Sequence, residues 1–239
     1  YKGENLADTV RAAGCYADVI VLRHPEVGSS YEAAFYQDRL SEHLGRQPVV
    51  ISGGDGIGEH PTQALLDLFT IVDLKHTVDN LRITMVGDLR FGRTGHSLSK
   101  LLAQYEAHGT SLQFVAPPSL RMPSEIINFL QERGINVYET EDLHEVLGST
   151  DVIYWTRIQQ ERFANPAEYE AIAEQFVMTP ELLAHAKADA ILMHPLPRRH
   201  EMGTTSDHDL LDADPRSVYF RQMENGMFMR MALISKVLG

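Results

Sequence analysis

Five hydrophobic, strand-like runs in this chain each end in a cluster of polar or cationic residues. Val19–Leu22 leads into Arg23-His24, and Val49–Ser52 leads through a glycine-rich stretch into His60-Pro61-Thr62-Gln63. Ile83–Val86 leads into Gly87 and then Gly92-Arg93-Thr94. Val152–Trp155 leads into Thr156-Arg157-Ile158-Gln159, and Ile191–Met193 into His194-Pro195-Leu196-Pro197-Arg198. Arginine presents a planar fork that grips a carboxylate or phosphate through two parallel N–H bonds. His60 at a helix start can donate to a developing oxyanion, and Gln63, one turn later, can reach the same place. Two prolines at a strand exit remove N–H donors and fix φ, which leaves carbonyls pointing outward to accept from an amine or amide. If these runs are strands of an open parallel sheet, their carboxyl ends share one edge, where ligands bind. The chemistry is that of a small, strongly anionic substrate and an amine nucleophile.

Each cluster also has a simpler reading. His60 is equally a helix-start cap, with the glycines only turning the chain. Gly87-Asp88-Leu89-Arg90-Phe91-Gly92-Arg93-Thr94 is nearly a phosphate-binding Walker loop, but it carries Arg93 where that loop needs lysine. Its use as a carboxylate-binding arginine fits better, against the alternative of a surface arginine after a strand. Arg157 and Gln159 lie two apart in an extended segment, so both can face one side. Glu161 could hold Arg157 in orientation, although Glu161 and Arg162 read first as a solvated loop. Lys2 has only its position near the start to recommend it.

The elements that must position these residues alternate. Helices are expected near Asn5–Ala13, Ser30–Leu44, Gln63–Lys75, Thr94–Ala107, Ser124–Arg133, Leu143–Leu147, Pro180–Lys187 and Asn225–Leu238. Strands are expected at Asp18–Leu22, Pro48–Ile51, Arg82–Val86, Ser111–Val115, Asn136–Glu139, Asp151–Trp155 and Ala190–Met193. Gly53–Gly58 reads as a loop, and Arg157 to about Phe176 as a long, irregular, mobile active-site loop. The alternation argues for α/β architecture. The polar stretch His76–Asn80 is the expected boundary between two doubly wound parallel-sheet domains, 1–78 and 79–223, with the active site in the cleft between them. The closing helix, 224–239, is assigned to complete the first domain.

Composition narrows the function. The chain has 239 residues, 44% of them hydrophobic, enough for a packed core. A net charge of −12 argues against general affinity for nucleic acid or an anionic membrane. A single cysteine, Cys15, excludes an internal disulfide and a thiolate metal cage and suits a reducing, cytoplasmic compartment. The apolar runs are too short to span a bilayer, and the start does not look like a signal sequence. Residue 1 is tyrosine, and the chain reads as if its beginning has been cut away.

The motifs together resemble a known family. His60-Pro61-Thr62-Gln63-Ala64-Leu65-Leu66-Asp67-Leu68-Phe69-Thr70, Gly92-Arg93-Thr94 with His96-Ser97, Thr156-Arg157-Ile158-Gln159 and His194–Arg198 are similar to the catalytic chain of aspartate carbamoyltransferases. The likeness extends over nearly the whole chain, including Met85-Val86-Gly87-Asp88, Ala116-Pro117 and Tyr219-Phe220. Ornithine carbamoyltransferases share the His-Pro-x-Gln string but normally have a His-Cys-Leu-Pro turn where this chain has His194-Pro195-Leu196-Pro197, which favours aspartate as acceptor. The resemblance implies carbamoyl transfer from carbamoyl phosphate to aspartate in pyrimidine biosynthesis, with no metal or cofactor. It makes 1–78 the carbamoyl phosphate-binding domain and 79–223 the aspartate-binding domain. Arg23 and His60 would hold the phosphate and carbonyl oxygen, and Gln63 with the carbonyls of Pro195 and Leu196 would hold the carbamoyl amide. Arg93, Arg157 and Gln159, with Leu196 and Lys2, would hold aspartate. Lys2 would come from a neighbouring subunit of a homotrimer, to which regulatory chains or fused enzyme domains can be attached.

The resemblance also raises expectations the chain does not meet. A Ser-Thr-Arg-Thr phosphate motif belongs upstream of Lys2 and is not among these residues, so a fragment, a chain shorter than the working protein and a crippled site all stay open. Gly95 and Arg199 are milder departures. A catalytically inactive homologue serving as an assembly or scaffold subunit, and a carbamoyltransferase for ornithine or another amine, are the competing readings.

Overall fold

The computed structural model describes residues 3–45, 47–105, 107–160, 163 and 165–239. Lys2, Glu161 and Arg162, singled out from sequence, lie outside them. The chain alternates helix and strand as expected. In order it runs α1 (Leu6–Gly14), β1 (Val19–His24), α2 (Ser29–Leu44), β2 (Val49–Asp55), α3 (Pro61–Lys75), β3 (Arg82–Val86), α4 (Arg93–Gln104), β4 (Ser111–Val115) and α5 (Ser124–Gln131). It continues with β5 (Asn136–Thr140), α6 (His144–Leu147), β6 (Val152–Trp155), α7 (Pro166–Ala173), α8 (Pro180–Leu183), β7 (Ile191–Met193), α9 (Thr205–Ala213) and α10 (Tyr219–Leu238).

Two parallel sheets result. β1 and β2 pair in one, and the other has the order β5-β4-β3-β6-β7. In the larger sheet, successive strands run outward from β3 through β4 to β5, then from β6 to β7 on the other side. The switch point therefore falls between β3 and β6, which pair from Ile83↔Val152 to Val86↔Trp155. β6 is buried at every position, as a central parallel strand with both faces covered must be. Ile83, Met85, Leu112, Phe114, Ile153 and Tyr154 form the middle of the core with exposures of 1% or less.

Helix α3 ties the sheets together. It packs against α4, α10 and β2 and is buried on nearly all sides. A helix in that position carries neutral or apolar residues on its buried faces, and among the buried residues of α3 Asp67 is the ionisable exception. α10 lies along α3, and at Gly226 a β-carbon would come within 3.1 Å of Leu66, so the absence of a side chain sets that approach.

Several expectations need correction. The glycine-rich segment is not wholly loop, because β2 continues through Gly53 and Gly54 to Asp55, where it pairs with His24 beyond an irregularity in β1. The bare backbone lets Gly53 lie against Leu22 and Arg23 of the neighbouring strand. The stretch expected to be an irregular loop contains α7, started by Pro166. α9, with a capping box of Thr204 and Asp207, was not anticipated. α10 begins six residues before the expected start at Asn225 and runs for 20 residues. Among the described residues, no helix is long and apolar enough to cross a membrane.

Candidate functional site

The carboxyl ends of β1, β2, β3, β6 and β7 open onto one cavity of about 400 Å³. Arg23 enters it from β1, and His60 and Gln63 from the start of α3. Arg93 comes from the first turn of α4, and Arg157 and Gln159 come from the exit of β6. His194, Pro195, Leu196 and Pro197 close it from the exit of β7. Every described residue named from sequence as a site candidate therefore lines a single cavity, at the switch point where an open sheet binds ligands. Lys2 is the candidate whose place is not described.

Local structure explains how each side chain gets there. Gly87, at the end of β3, has φ +115°, and a β-carbon there would stand 2.3 Å from the carbonyl oxygen of Thr156. Only glycine lets the β3 and β6 exits approach this closely. Asp88, fully buried, then joins them: its carboxylate accepts from the backbone N–H of Phe91 (2.9 Å) and from Nε2 of Gln159 (3.2 Å). Arg93 donates from its guanidinium to the carbonyl oxygen of Gly56 (2.7 Å), which binds the α4 start to the loop after β2. From the same helix, Ser97 accepts from the backbone N–H of His60 (2.9 Å), and Ser97 and Lys100 both hold Glu59.

His60 occupies the N-cap position of α3, yet its side chain makes no capping hydrogen bond. Its Nδ1 is buried with no hydrogen-bond partner among the described residues. The imidazole is thus not engaged in ending the helix, the simpler of its two readings. Burial, then Arg93, Arg23 and Arg230, pushes its pKa down from 6.5 to about 4. A neutral ring can donate one N–H without bringing a charge. Arg93 is itself lowered, first by burial and then by Arg23, with Asp55 opposing. The cavity is therefore electropositive within a chain of net charge −12.

The opposite wall is built differently. His194 is 1% exposed. Its Nδ1 accepts from the backbone N–H of Leu196 (2.9 Å), so Nε2 carries the proton and donates to Glu201 (3.1 Å). Burial raises the Glu201 pKa, but the bond from His194 and the backbone N–H of Arg199 outweigh it and hold the carboxylate low. Leu196 sits at φ +51°, a left-handed conformation that a branched side chain rarely adopts. Arg198, the last residue of this motif, is outside the cavity: it pairs with Asp212 (2.7 Å) and donates to the Tyr219 hydroxyl (2.8 Å).

Sequence reasoning missed the polar residues behind the cavity. Asp67, Tyr154 and Gln222 are each fully buried. Asp67 accepts from Gln63 (2.9 Å), Tyr154 (2.7 Å) and Gln222 (2.6 Å). Burial raises its pKa to about 7 against the pull of these three donors. Asp67 is four residues after Gln63, on the same helix face. An acidic residue between Leu66 and Leu68, at the centre of the helix, was the available signal.

The carbamoyl-P binding domain model of the aspartate/ornithine carbamoyltransferases matches residues 1–73, and their Asp/Orn binding domain model matches residues 79–237. The chain is 51% identical over 238 residues to the multifunctional protein CAD of Squalus acanthias, matching 100% of this chain and 10% of that protein. It is 46% identical to the aspartate carbamoyltransferase catalytic subunit of Methanocella arvoryzae, over 100% of this chain and 72% of the relative. The aspartate transcarbamoylase of Trypanosoma cruzi, solved in complex with carbamoyl phosphate and aspartate, superposes with a TM-score of 0.82 at 40% identity, covering 98% of this chain and 69% of the other. The chain thus spans only a tenth of the multifunctional relative and about seven-tenths of the single-function ones.

Proposed function

This chain belongs to the aspartate/ornithine carbamoyltransferase family, and from that footing we propose that its cavity moves the carbamoyl group of carbamoyl phosphate onto the amino group of aspartate. The trypanosomal relative, bound to both of those molecules, supports the reading. The observation that carries it is the meeting of Arg23, Arg93, Arg157, Gln159 and a neutral His60 in one cavity with the Pro195-Leu196 turn.

In this reading Arg23 and His60 receive carbamoyl phosphate, and His60 donates to its carbonyl oxygen. Gln63 and the carbonyls of Pro195 and Leu196 accept from the carbamoyl N–H₂. Arg93, Arg157 and Gln159 clamp the two carboxylates of aspartate, with Leu196 against the bound molecule and Lys2 supplied by a neighbouring subunit. The aspartate nitrogen attacks the carbonyl carbon, and its lone pair becomes the new C–N bond. Negative charge collects on the carbonyl oxygen opposite His60. The bond from the carbonyl carbon to the oxygen shared with phosphorus then breaks, phosphate leaves with the electron pair, and the nitrogen gives up a proton to the departing phosphate. Positioning and electrostatic stabilisation are the whole of the protein's contribution.

The accompanying assignments belong to the same reading. They are a homotrimer with shared sites, a cytoplasmic setting, attachment to regulatory chains or fused enzyme domains, and a division into 1–78 plus 224–239 and 79–223. The packing of α10 on α3 supports the last. An ornithine-type acceptor is disfavoured because Arg93 and Arg157 repel a cationic side chain. An inactive scaffold is disfavoured because it has no need for a neutral histidine among arginines.

Carbamoyl-aspartate formation by the full-length polypeptide tests the reading. Arg157→Ala is expected to raise the KM for aspartate about 100-fold, the loss of one buried charge-pairing partner. Unaltered aspartate kinetics in that variant would remove the clamp, and no turnover by the unsubstituted protein would remove the reaction.

A further inference from the structure

Two separate parts of the chain provide the acceptors for the carbamoyl amide in the reading above, on which this inference rests. Gln63 comes from α3, and the Pro195-Leu196 turn comes from the exit of β7. Their relative position must be held to a fraction of an ångström for both to meet one N–H₂ group. Neither touches the other through any bond described so far. Both, however, lead to Asp67.

From one side, Nε2 of Gln63 donates to Oδ1 of Asp67 at 2.9 Å. With its nitrogen turned inward, the Gln63 amide has its oxygen left to accept on the cavity side. From the other side, the backbone N–H of His194 donates to Oε1 of Gln222 at 2.9 Å, and Nε2 of Gln222 donates to the same Oδ1 of Asp67 at 2.6 Å. Gln222 is fully buried and spends both ends of its amide on this relay. The second carboxylate oxygen takes the Tyr154 hydroxyl from β6 at 2.7 Å, so the carboxylate cannot rotate freely. Three elements, α3, β6 and α10, meet on one carboxylate, and the β7 exit reaches it through Gln222.

We infer that Asp67 is the positioning residue of the carbamoyl amide pocket, fixing both the rotation of the Gln63 amide and the distance from it to the His194–Pro197 turn. Asp67 itself contacts no substrate. Oδ1 of Asp67 accepts from both glutamines, so both must present nitrogen to it whether or not Oδ2 carries a proton. A carboxamide of the same shape has one accepting and one donating end. It would lose a partner or let a glutamine turn over, placing an N–H₂ where an accepting oxygen is needed.

The test separates amide recognition from phosphate recognition. In the full-length protein, Asp67→Asn is expected to weaken binding of phosphonoacetamide, a non-reactive phosphonate amide, about 10- to 100-fold by calorimetry. The affinity for inorganic phosphate, which has no amide, stays within about twofold, and kcat falls with the phosphonoacetamide affinity. Gln222→Met is similar in shape, removes both bonds of the relay to His194 and leaves Asp67 in place with its bonds from Gln63 and Tyr154. It is expected to show the same selectivity at about three- to tenfold, and it decides the matter if Asp67→Asn does not fold. Equal weakening of both ligands, or no weakening of either, in the folded variants overturns the positioning role. Failure of the unsubstituted protein to bind phosphonoacetamide overturns instead the carbamoyl reading beneath it.

Discussion

The cavity has two histidine turns, and they are built on opposite plans. The turn from β2 to α3 presents His60 with a buried Nδ1 that has no partner among the described residues and a pKa lowered to about 4. The turn after β7 presents His194 with one ring nitrogen accepting from Leu196 and the other donating to Glu201. Both follow a strand end, both neighbour a proline, and both line the same cavity. The difference lies in what has already been satisfied. A side chain whose hydrogen-bonding capacity is spent inside the protein holds backbone in place. One whose capacity is left open beside three arginines has something to offer a ligand.

The contrast breaks most sharply by removing each ring in turn. His60→Ala is expected to lower kcat about 100- to 1,000-fold, the loss associated with one donor to a developing oxyanion. The fold should be little affected, since Nδ1 leaves no protein partner behind. A His60→Ala enzyme with kcat within a few-fold of the parent would end the distinction from that side.

His194→Ala should do the reverse. It leaves the Glu201 carboxylate buried without its ring partner and the Leu196 N–H without an acceptor, a destabilisation of about 3 kcal/mol. Calorimetric unfolding should record it as a drop of about 8 °C. Glu201→Gln keeps the shape and can still accept from His194, so its loss should be smaller. Equal melting temperatures for His194→Ala and His60→Ala would erase the difference between the turns.

The parts of this plan that could be read from sequence are those carried by neighbours in the chain. The run Val152–Trp155 followed by Thr156-Arg157-Ile158-Gln159 announces a buried strand with a cationic exit, and that is what stands at the switch point. Gly53 and Gly54 misled for the opposite reason. Glycine content signals a turn locally, while here it serves close approach to β1 and Arg93, which lie far off in sequence. Arg198 closes the His194–Arg198 motif in sequence, but its partners Asp212 and Tyr219 come from later helices and hold it outside the cavity. Asp67 and Gln222, 155 residues apart, left no pattern that links them. Long-range polar pairing has no period, so composition and spacing cannot expose it.

Gly54→Ala sharpens the comparison on the His60 side alone. Gly54 has φ +111°, and an added β-carbon would sit 3.0 Å from Cζ of Arg93. Alanine is strained in that conformation, and the guanidinium must retreat. The KM for aspartate is expected to rise about tenfold with a smaller change in kcat, because a clamp group is moved while His60 stays. The β7 turn is untouched by this substitution, so the melting effect of His194→Ala should add to it nearly independently. An unchanged aspartate KM would mean that Arg93 does not depend on the bare backbone of Gly54.

The smallest effect is the most direct reading of the two environments. In the free protein, NMR titration of the His60 ring is expected to show a midpoint near 4, against 6.5 for an unperturbed histidine. Burial is the largest cause, so a bound phosphonate, which offsets only Arg93, Arg23 and Arg230, should lift the midpoint part of the way. The sign for stability follows from linkage. The folded state holds the His60 proton less readily than the unfolded state does, so the unfolded state binds more protons between about pH 4 and 6.5. Stability from this group is therefore present above that window and lost as pH falls through it, and His60→Gln should flatten the slope there. A midpoint of 6 or higher in the ligand-free protein would mean that the ring is ordinarily solvated, and the two turns would then differ in packing but not in chemistry.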